Sequence, residues 1–259
     1  MVAGVRISAT SYDDVVRQCG EWISEKREIG AAATARYICV TSVHGIVTAR
    51  SDRRFRDILN RADMATPDGM PVVWAMRSLG RKQQKRVYGP DLMLRLCECA
   101  ASRGHRVFLY GGRPEVLPQL AERLQAKMPQ LEIAGMYSPP FRPLTAEEDA
   151  AVVHQIRQSG ADIVFVGIST PKQEHWMSQH VDSLPGTIML GVGAAFDFHA
   201  GRVKQAPAWM QRAGLEWFFR LLMEPMRLWR RYLLETPRFL PLWAMQKAGW
   251  MRFSDADEI

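Results

Sequence analysis

The chain has 259 residues, of which 47% are hydrophobic, so it can bury a core and is not a wholly disordered protein. Its formal net charge of +7 favours an anionic partner, for which nucleic acid, acidic lipid and phosphorylated substrates all qualify. We expect a reduced cytosolic chain, because the four cysteines lack zinc-ligand spacing and no signal peptide is visible. We also expect no membrane span, because no segment reaches 18 consecutive apolar residues without a charge.

Short apolar runs rich in β-branched and aromatic residues predict five buried strands. They cover residues 34–43, 106–110, 131–136, 161–166 and 187–192. Helical patterns lie near residues 51–62, 70–79, 91–103, 114–127, 145–159 and 171–181. This alternation predicts a Rossmann-like α/β fold, with a mostly parallel sheet and helices on both faces. Ligands of such sheets bind at the carboxyl ends of the strands, so the loops that follow the strands are candidate sites.

The character of the chain changes after about residue 205. The strand patterns stop, basic residues outnumber acidic ones, and five of the 8 tryptophans follow, namely Trp209, Trp217, Trp229, Trp243 and Trp250. We therefore predict a core domain at residues 1–204 and a basic, aromatic helical appendage at residues 205–259. The last residues, SDADEI, are predicted to be a frayed acidic end.

Asp68 lies in the segment ATPDGMP, between a short apolar run and a helical pattern. A carboxylate in a strand-to-helix loop can act as a general base, but Pro-Asp-Gly is also an ordinary turn. Arg86 precedes another helical pattern in RVYGPD. It either belongs to a helix cap or contacts a phosphate or carboxylate, since a guanidinium makes bidentate contacts.

Three further loops follow predicted strands. Gly111 and Gly112 open the first loop. Either its backbone N–H groups face an anion, or the two glycines simply form a tight strand-to-helix turn. Lys172 and Gln173 follow the strongest strand, as nucleotide ligands or as solvated helix-start residues. In the third loop, Gly193 permits close approach of a ligand or a backbone, and Asp197 either is structural or binds a sugar hydroxyl.

Thr41, Ser42 and His44 end the first predicted strand, on the expected ligand side of the sheet. A single histidine in such a place is more often a hydrogen-bonded packing residue than a catalyst. The other histidines are scattered and form no metal set, so no metal site is expected.

Taken together, these segments resemble the WecG/TagA/CpsF family of glycosyltransferases between about Tyr37 and Tyr232. Six motifs occur in the family's order: TPDGMPVVWA, RVYGPDL, FLYGGRPEVL, FVGISTPKQEHWM, GVGAAFDFHAGRVKQAP and GLEWFFRLLMEPMRLWRRY. An ordered set of six is far more specific than any single motif.

The resemblance implies an inverting transfer from a UDP-sugar, without a metal or other cofactor, to an undecaprenyl-diphosphate-linked sugar in cell-surface polysaccharide or teichoic acid synthesis. Asp68 matches the family's proposed base, and Arg86 matches a functional arginine. Gln173 and Asp197 fall in donor-binding motifs. The family's appendage supplies further arginines, which correspond to Arg220, Arg227 and Arg230 and would stabilise charge on the departing diphosphate.

The donor sugar stays open between N-acetylmannosamine, its uronic acid and a hexose. Many relatives carry an asparagine near the end of the first strand, where this chain has Ser42. A serine hydroxyl cannot reproduce both halves of an amide, so the change bears on the choice of sugar.

The appendage fits interfacial binding, with tryptophans at lipid headgroups and arginines on lipid phosphates. We therefore expect a cytoplasmic protein, peripheral on the inner face of the cell membrane. The sequence leaves a homo-oligomer open, and the appendage can alternatively pack on the core or on another subunit.

Two other classes compete with this interpretation. Basic charge with interleaved aromatic residues also suits a nucleic-acid-binding protein, but the chain lacks helix-turn-helix, zinc and single-strand-binding signatures. A Rossmann-type oxidoreductase would need a G-x-G-x-x-G motif after an early strand, and none is present.

Overall fold

A computed structural model describes residues 1–253, so the predicted acidic end SDADEI lies outside the described residues. Its strands are β1 (Arg36–Thr41), β2 (Met64–Pro67), β3 (Arg106–Gly111), β4 (Glu132–Tyr137), β5 (Ile163–Gly167) and β6 (Ile188–Gly191). They form a six-stranded parallel sheet in the order β2-β1-β6-β5-β3-β4. This confirms the predicted α/β, Rossmann-like fold.

Thirteen α-helices occur in the described part of the chain. Nine lie before residue 205: α1 (Tyr12–Ile29), α2 (Val43–Ser51), α3 (Arg53–Arg61), α4 (Met70–Ser78), α5 (Gly89–Arg103), α6 (Val116–Lys127), α7 (Ala146–Ser159), α8 (Lys172–Gln179) and α9 (Ala195–His199). Four follow it: α10 (Ala208–Arg212), α11 (Glu216–Met223), α12 (Pro225–Trp229) and α13 (Phe239–Lys247). Among them, none combines the length and the apolar character that crossing a bilayer requires.

The chain divides into two compact units. The first comprises residues 1–11, 40–88 and the chain from Gln205 onward, and the second comprises residues 12–39 and 89–204. The division by sequence into domains at 1–204 and 205–259 stays a prediction.

The second unit contains the middle of the sheet. Strand β3 lies between β4 and β5, with Leu109 in register with Phe165 and Met136. Phe108 and Phe165 are fully buried, so the unit's core lies against these strands. Gly111 ends β3 with a φ of +121°, and a Cβ atom there would lie 2.6 Å from the backbone of Gly167. Only glycine fits this close approach of two strand ends.

The first unit contains β2 and the chain from Gln205 onward. A ladder-like contact joins the strand ends, since the Asp68 N–H donates to the Thr41 carbonyl at 3.1 Å. The helices after residue 205 pack within this unit through the buried side chains of Leu228 and Phe239. Trp243 adds a hydrogen bond from Nε1 to the Ser78 hydroxyl at 2.8 Å. The segment from 205 to 253 is thus helical and partly buried.

Three helices before residue 205 were not predicted, namely α1, α2 and the short α9. Helix α1 buries Val15, Cys19 and Ile23, one residue per turn among charged neighbours, and such a narrow stripe is a weak helical signal. Helix α2 begins at Val43, the last residue of the run predicted as the first strand. It was missed because its Val and Ile residues favour strands in sequence patterns. The predicted helix at 51–62 corresponds to α3, which Asp52 caps by accepting the Phe55 N–H at 3.0 Å.

Candidate active site

A small pocket lies in the first unit, where β2 ends. Its volume is about 110 Å³, room for a few waters at about 30 Å³ each. Five predicted site residues line it: Ser42, His44, Asp68, Arg86 and Arg220. Residues that sequence reasoning did not select also line it, among them Glu216, Trp217, Arg231, Tyr232 and Thr236. We call this the site pocket.

A larger groove of about 930 Å³ lies in the second unit, along α1 and α5. Its walls carry mixed acidic and basic side chains and none of the predicted site residues.

Asp68 directly follows β2 and precedes α4, as the sequence predicted. Its backbone is fixed by the hydrogen bond to Thr41, and Pro71 in the first turn of α4 sets the direction of the helix. The carboxylate is 21% exposed and lines the site pocket. It is therefore a carboxylate that a small molecule in the pocket can reach.

Arg86 is held beside Asp68 because the next residue, Val87, donates its N–H to the Pro67 carbonyl at 2.9 Å. The Arg86 Nε donates to the Asp68 carbonyl, and Nη2 lies 3.5 Å from the Asp68 carboxylate. The same Nη2 donates to Glu216 at 2.6 Å. The guanidinium also lies 3.9 Å from the centre of the Tyr88 ring.

The carboxylates around Arg86 keep its guanidinium protonated. Burial lowers the pKa of its guanidinium, but the charges of Asp68 and Glu216 outweigh burial, so the net pKa is raised above its usual range. Burial raises the pKa of Tyr88, and the two carboxylates raise it further. The pocket thus has a permanent cation between two carboxylates, with a neutral phenol beneath it.

Arginines of the appendage divide into two groups. Arg220 and Arg231 line the site pocket. Arg227 instead forms an exposed ion pair with Glu224, and Arg230 lies over the Trp229 ring at 5.4 Å. Arg227 and Arg230 therefore lie outside the pocket lining, and their predicted role stays a prediction.

His44 lines the pocket at the start of α2. Its Nδ1 lies 3.3 Å from the Glu235 carboxylate, without the geometry of a hydrogen bond. Burial lowers its pKa to about 4, and the charge of Arg231 acts in the same direction. The imidazole is therefore neutral at physiological pH. Ser42 precedes the helix and its hydroxyl makes no capping hydrogen bond, whereas Thr41 is buried at the end of β1.

The other six predicted residues belong to the second unit: Gly111, Gly112, Lys172, Gln173, Gly193 and Asp197. The Gln173 amide is buried; its oxygen accepts the Gly193 N–H at 3.0 Å and its nitrogen donates to Glu174 at 2.9 Å. Glu174 is also buried. Lys172 is exposed at the start of α8. These contacts show how the loops of the second unit are held, and they assign no ligand.

Acidic, histidine and cysteine side chains do not gather in threes anywhere in residues 1–253 in a way that would hold a metal ion. The expectation of a metal-free site stays a prediction.

Glu216 and Arg231 were missed because their roles depend on contacts between distant parts of the chain. Glu216 is 130 residues from Arg86 along the sequence. Both residues lie inside the motif GLEWFFRLLMEPMRLWRRY, which is the one signal that points to them.

Comparisons with known proteins agree with the motifs. The model of the glycosyl transferase WecG/TagA/CpsF family matches residues 1–252. The N-acetylglucosaminyldiphosphoundecaprenol N-acetyl-beta-D-mannosaminyltransferase of Bacillus subtilis strain 168 is 34% identical over 191 residues, which cover 74% of this chain and 72% of that enzyme. The enzyme of the same name from Bacillus spizizenii strain W23 is 35% identical over 192 residues, with the same coverage.

Proposed function

Because the chain belongs to the WecG/TagA/CpsF family of glycosyltransferases, we propose that it moves a sugar from a UDP-sugar to an undecaprenyl-diphosphate-linked acceptor, with inversion at the anomeric carbon. Two relatives whose names specify transfer of N-acetylmannosamine to N-acetylglucosaminyldiphosphoundecaprenol support the acceptor class. The product would enter cell-surface polysaccharide or teichoic acid synthesis. The donated sugar is N-acetylmannosamine, its uronic acid or a hexose.

One observation carries the proposal: a reachable carboxylate, Asp68, shares a pocket with three arginines, Arg86, Arg220 and Arg231. Asp68 would take the proton from the acceptor hydroxyl as its oxygen attacks the anomeric carbon. Attack from the face opposite UDP inverts the configuration of that carbon. The proton ends on the Asp68 carboxylate, and the bonding pair of the broken C–O bond leaves with UDP.

The leaving diphosphate gains negative charge as the sugar departs, and fixed cations stabilise such charge. Arg86 and Arg220 lie in the pocket for this role, and Arg227 and Arg230 complete the set proposed from the motifs. In this proposal these arginines do the work that a divalent ion does in other transferases, so no cofactor is required.

The appendage supports a peripheral position on the inner face of the cell membrane. Several of its large apolar side chains are exposed: Trp209, Leu222, Met223, Met226, Leu233, Leu240 and Trp250. Arg212, Arg227 and Arg238 lie in the same segment and suit anionic headgroups. Such a surface would keep the site close to a lipid-linked acceptor.

A panel of UDP-sugars tests the function. Purified protein is incubated with undecaprenyl-diphosphate-linked N-acetylglucosamine and with UDP-N-acetylmannosamine, its uronic acid or UDP-hexoses, and released UDP is measured. We expect UDP release that requires both the acceptor and one donor of the panel. Absence of acceptor-dependent release with every donor would contradict the proposal.

A further inference from the structure

Arg231 is the pocket arginine that no motif assignment selected. It lies in a π-helical turn, Arg230–Glu235, that continues from α12, and its side chain lines the site pocket. Its Nε is buried and has no hydrogen-bond partner among the described residues. Its guanidinium carbon lies 5.7 Å from the centre of the Tyr232 ring. Within residues 1–253, no carboxylate forms an ion pair with it.

This state is unusual for an arginine. A guanidinium stays charged in proteins, and buried charges are normally paired and hydrogen-bonded. Burial lowers the pKa of Arg231, and the charge of Arg220 acts in the same direction, although Asp68 partly opposes it. A cation kept in a pocket wall without a paired acceptor indicates that the acceptor is a ligand.

Thr236 repeats the pattern in the same wall. Its Oγ1 is buried, and it too has no hydrogen-bond partner among the described residues. A guanidinium and a hydroxyl donor together suit the oxygens of a phosphate group.

The neighbouring arginines behave differently. Arg227 forms an ion pair with Glu224, and its side chain is 58% exposed. Arg230 lies over Trp229. Neither lines the site pocket. Arg252 is exposed, lies in the same unit outside the pocket lining and has no role in the proposed function, so it provides the control for Arg231.

We propose that Arg231 and Thr236 bind a diphosphate group in the site pocket, with Arg231 as its principal cationic ligand from the appendage. The inference rests on the proposed function, because the donor and the lipid acceptor of that reaction both carry a diphosphate. It assigns the chemistry of the ligand, and the experiment decides which of the two molecules supplies it.

Calorimetric titration of the full chain with UDP, uridine, inorganic pyrophosphate and farnesyl diphosphate tests the inference. Arg231→Gln should weaken binding of UDP or of farnesyl diphosphate about tenfold or more, the effect expected when a charged hydrogen bond is lost, and leave uridine binding unchanged. A loss confined to UDP assigns the donor, and a loss confined to farnesyl diphosphate assigns the acceptor. Arg252→Gln should bind like the wild type.

Arg231→Lys keeps the charge without the planar fork and should show a smaller loss, which also keeps the test valid if the glutamine variant fails to fold. Thr236→Val should weaken binding of the same ligand, to a lesser degree. The inference is overturned if Arg231→Gln binds both diphosphates like the wild type, if Arg252→Gln loses as much, or if the wild type binds no diphosphate probe. If the wild type releases no UDP from any donor and Arg231→Gln still loses pyrophosphate binding, the proposed function alone is contradicted.

Discussion

At the scale of single residues, the site depends on how one nitrogen of Arg86 is shared. Nη2 is 2.6 Å from Glu216 and 3.5 Å from Asp68, so its stronger partner is Glu216. Asp68 thereby keeps a carboxylate oxygen that is not fully engaged by Arg86. Glu216 belongs to the appendage, and this contact ties the appendage to the loop that carries Asp68.

The Arg86–Glu216 pair should matter for stability. Both side chains are about 15% exposed, so Glu216→Gln leaves a largely buried guanidinium with a weaker partner. We expect the free energy of unfolding to fall by about 1–3 kcal/mol. Glu224→Gln removes the ion-pair partner of Arg227 in the same segment. This pair is more exposed than Arg86–Glu216, so the free energy of unfolding should fall by less than about 1 kcal/mol. Urea denaturation of both variants measures the difference, and equal losses would contradict this ranking.

His44 predicts how stability depends on pH. Its pKa of about 4 lies below the ordinary value of 6.5, so the unfolded chain takes up this proton first as the pH falls. The contribution of neutral His44 is complete above pH 6.5 and is lost between pH 6.5 and 4, about 3 kcal/mol in all.

The variant His44→Gln should therefore lose less stability than the wild type between pH 7 and about pH 4.5. Denaturant midpoints at several pH values, with His154→Gln as an exposed-helix control, measure the difference. Parallel pH profiles for His44→Gln and the wild type would contradict the depressed pKa.

At the scale of elements, sequence patterns predicted the sheet well. Strands β3, β5 and β6 are nearly continuous apolar runs, which is how strands covered on both faces look in a sequence. The boundary between β1 and α2 was not predictable, because Val43, Ile46 and Val47 suit a strand as well as a buried helix. Asp68 and Arg86, which line the site pocket, were selected from the sequence because they lie in distinctive loops. Glu216 and Arg231 were not, because only the fold brings them to the pocket.

The appendage should be needed for activity. Deletion of the chain from residue 215 onward removes Glu216, Arg220 and Arg231 from the site pocket. We expect turnover with a soluble acceptor to fall below a hundredth of the wild-type rate, roughly the effect of losing transition-state charge stabilisation. If the deletion does not fold, turnover is measured in the triple variant Glu216→Gln, Arg220→Gln, Arg231→Gln, with the same expected fall. Full activity of either form would rule out this role of the appendage.

At the scale of the whole molecule, we propose that the net positive charge and the exposed apolar side chains of the appendage combine into a surface for anionic lipid. Leu222 and Met226 are 63% and 88% exposed on this segment. A nucleic-acid-binding protein would use its basic residues without needing these aliphatic ones.

Vesicle flotation tests the membrane surface. The double variant Leu222→Glu, Met226→Glu should bind vesicles containing anionic lipid at least about tenfold more weakly, because it loses apolar burial and adds negative charge. Phe141→Glu is the matched control, since Phe141 is 91% exposed but lies in the second unit. Equal binding of the double variant and the control, or retention on DNA at physiological salt in place of flotation, would contradict the proposal.

The most direct test of the mechanism is acceptor-dependent UDP release by the wild type and by Asp68→Asn, each with EDTA and with magnesium. The account predicts wild-type release that EDTA does not change, and a fall of about a hundredfold or more in Asp68→Asn, the effect of losing a general base, with UDP binding retained. Near-normal turnover in Asp68→Asn, or wild-type turnover that disappears in EDTA and returns with magnesium, would contradict it.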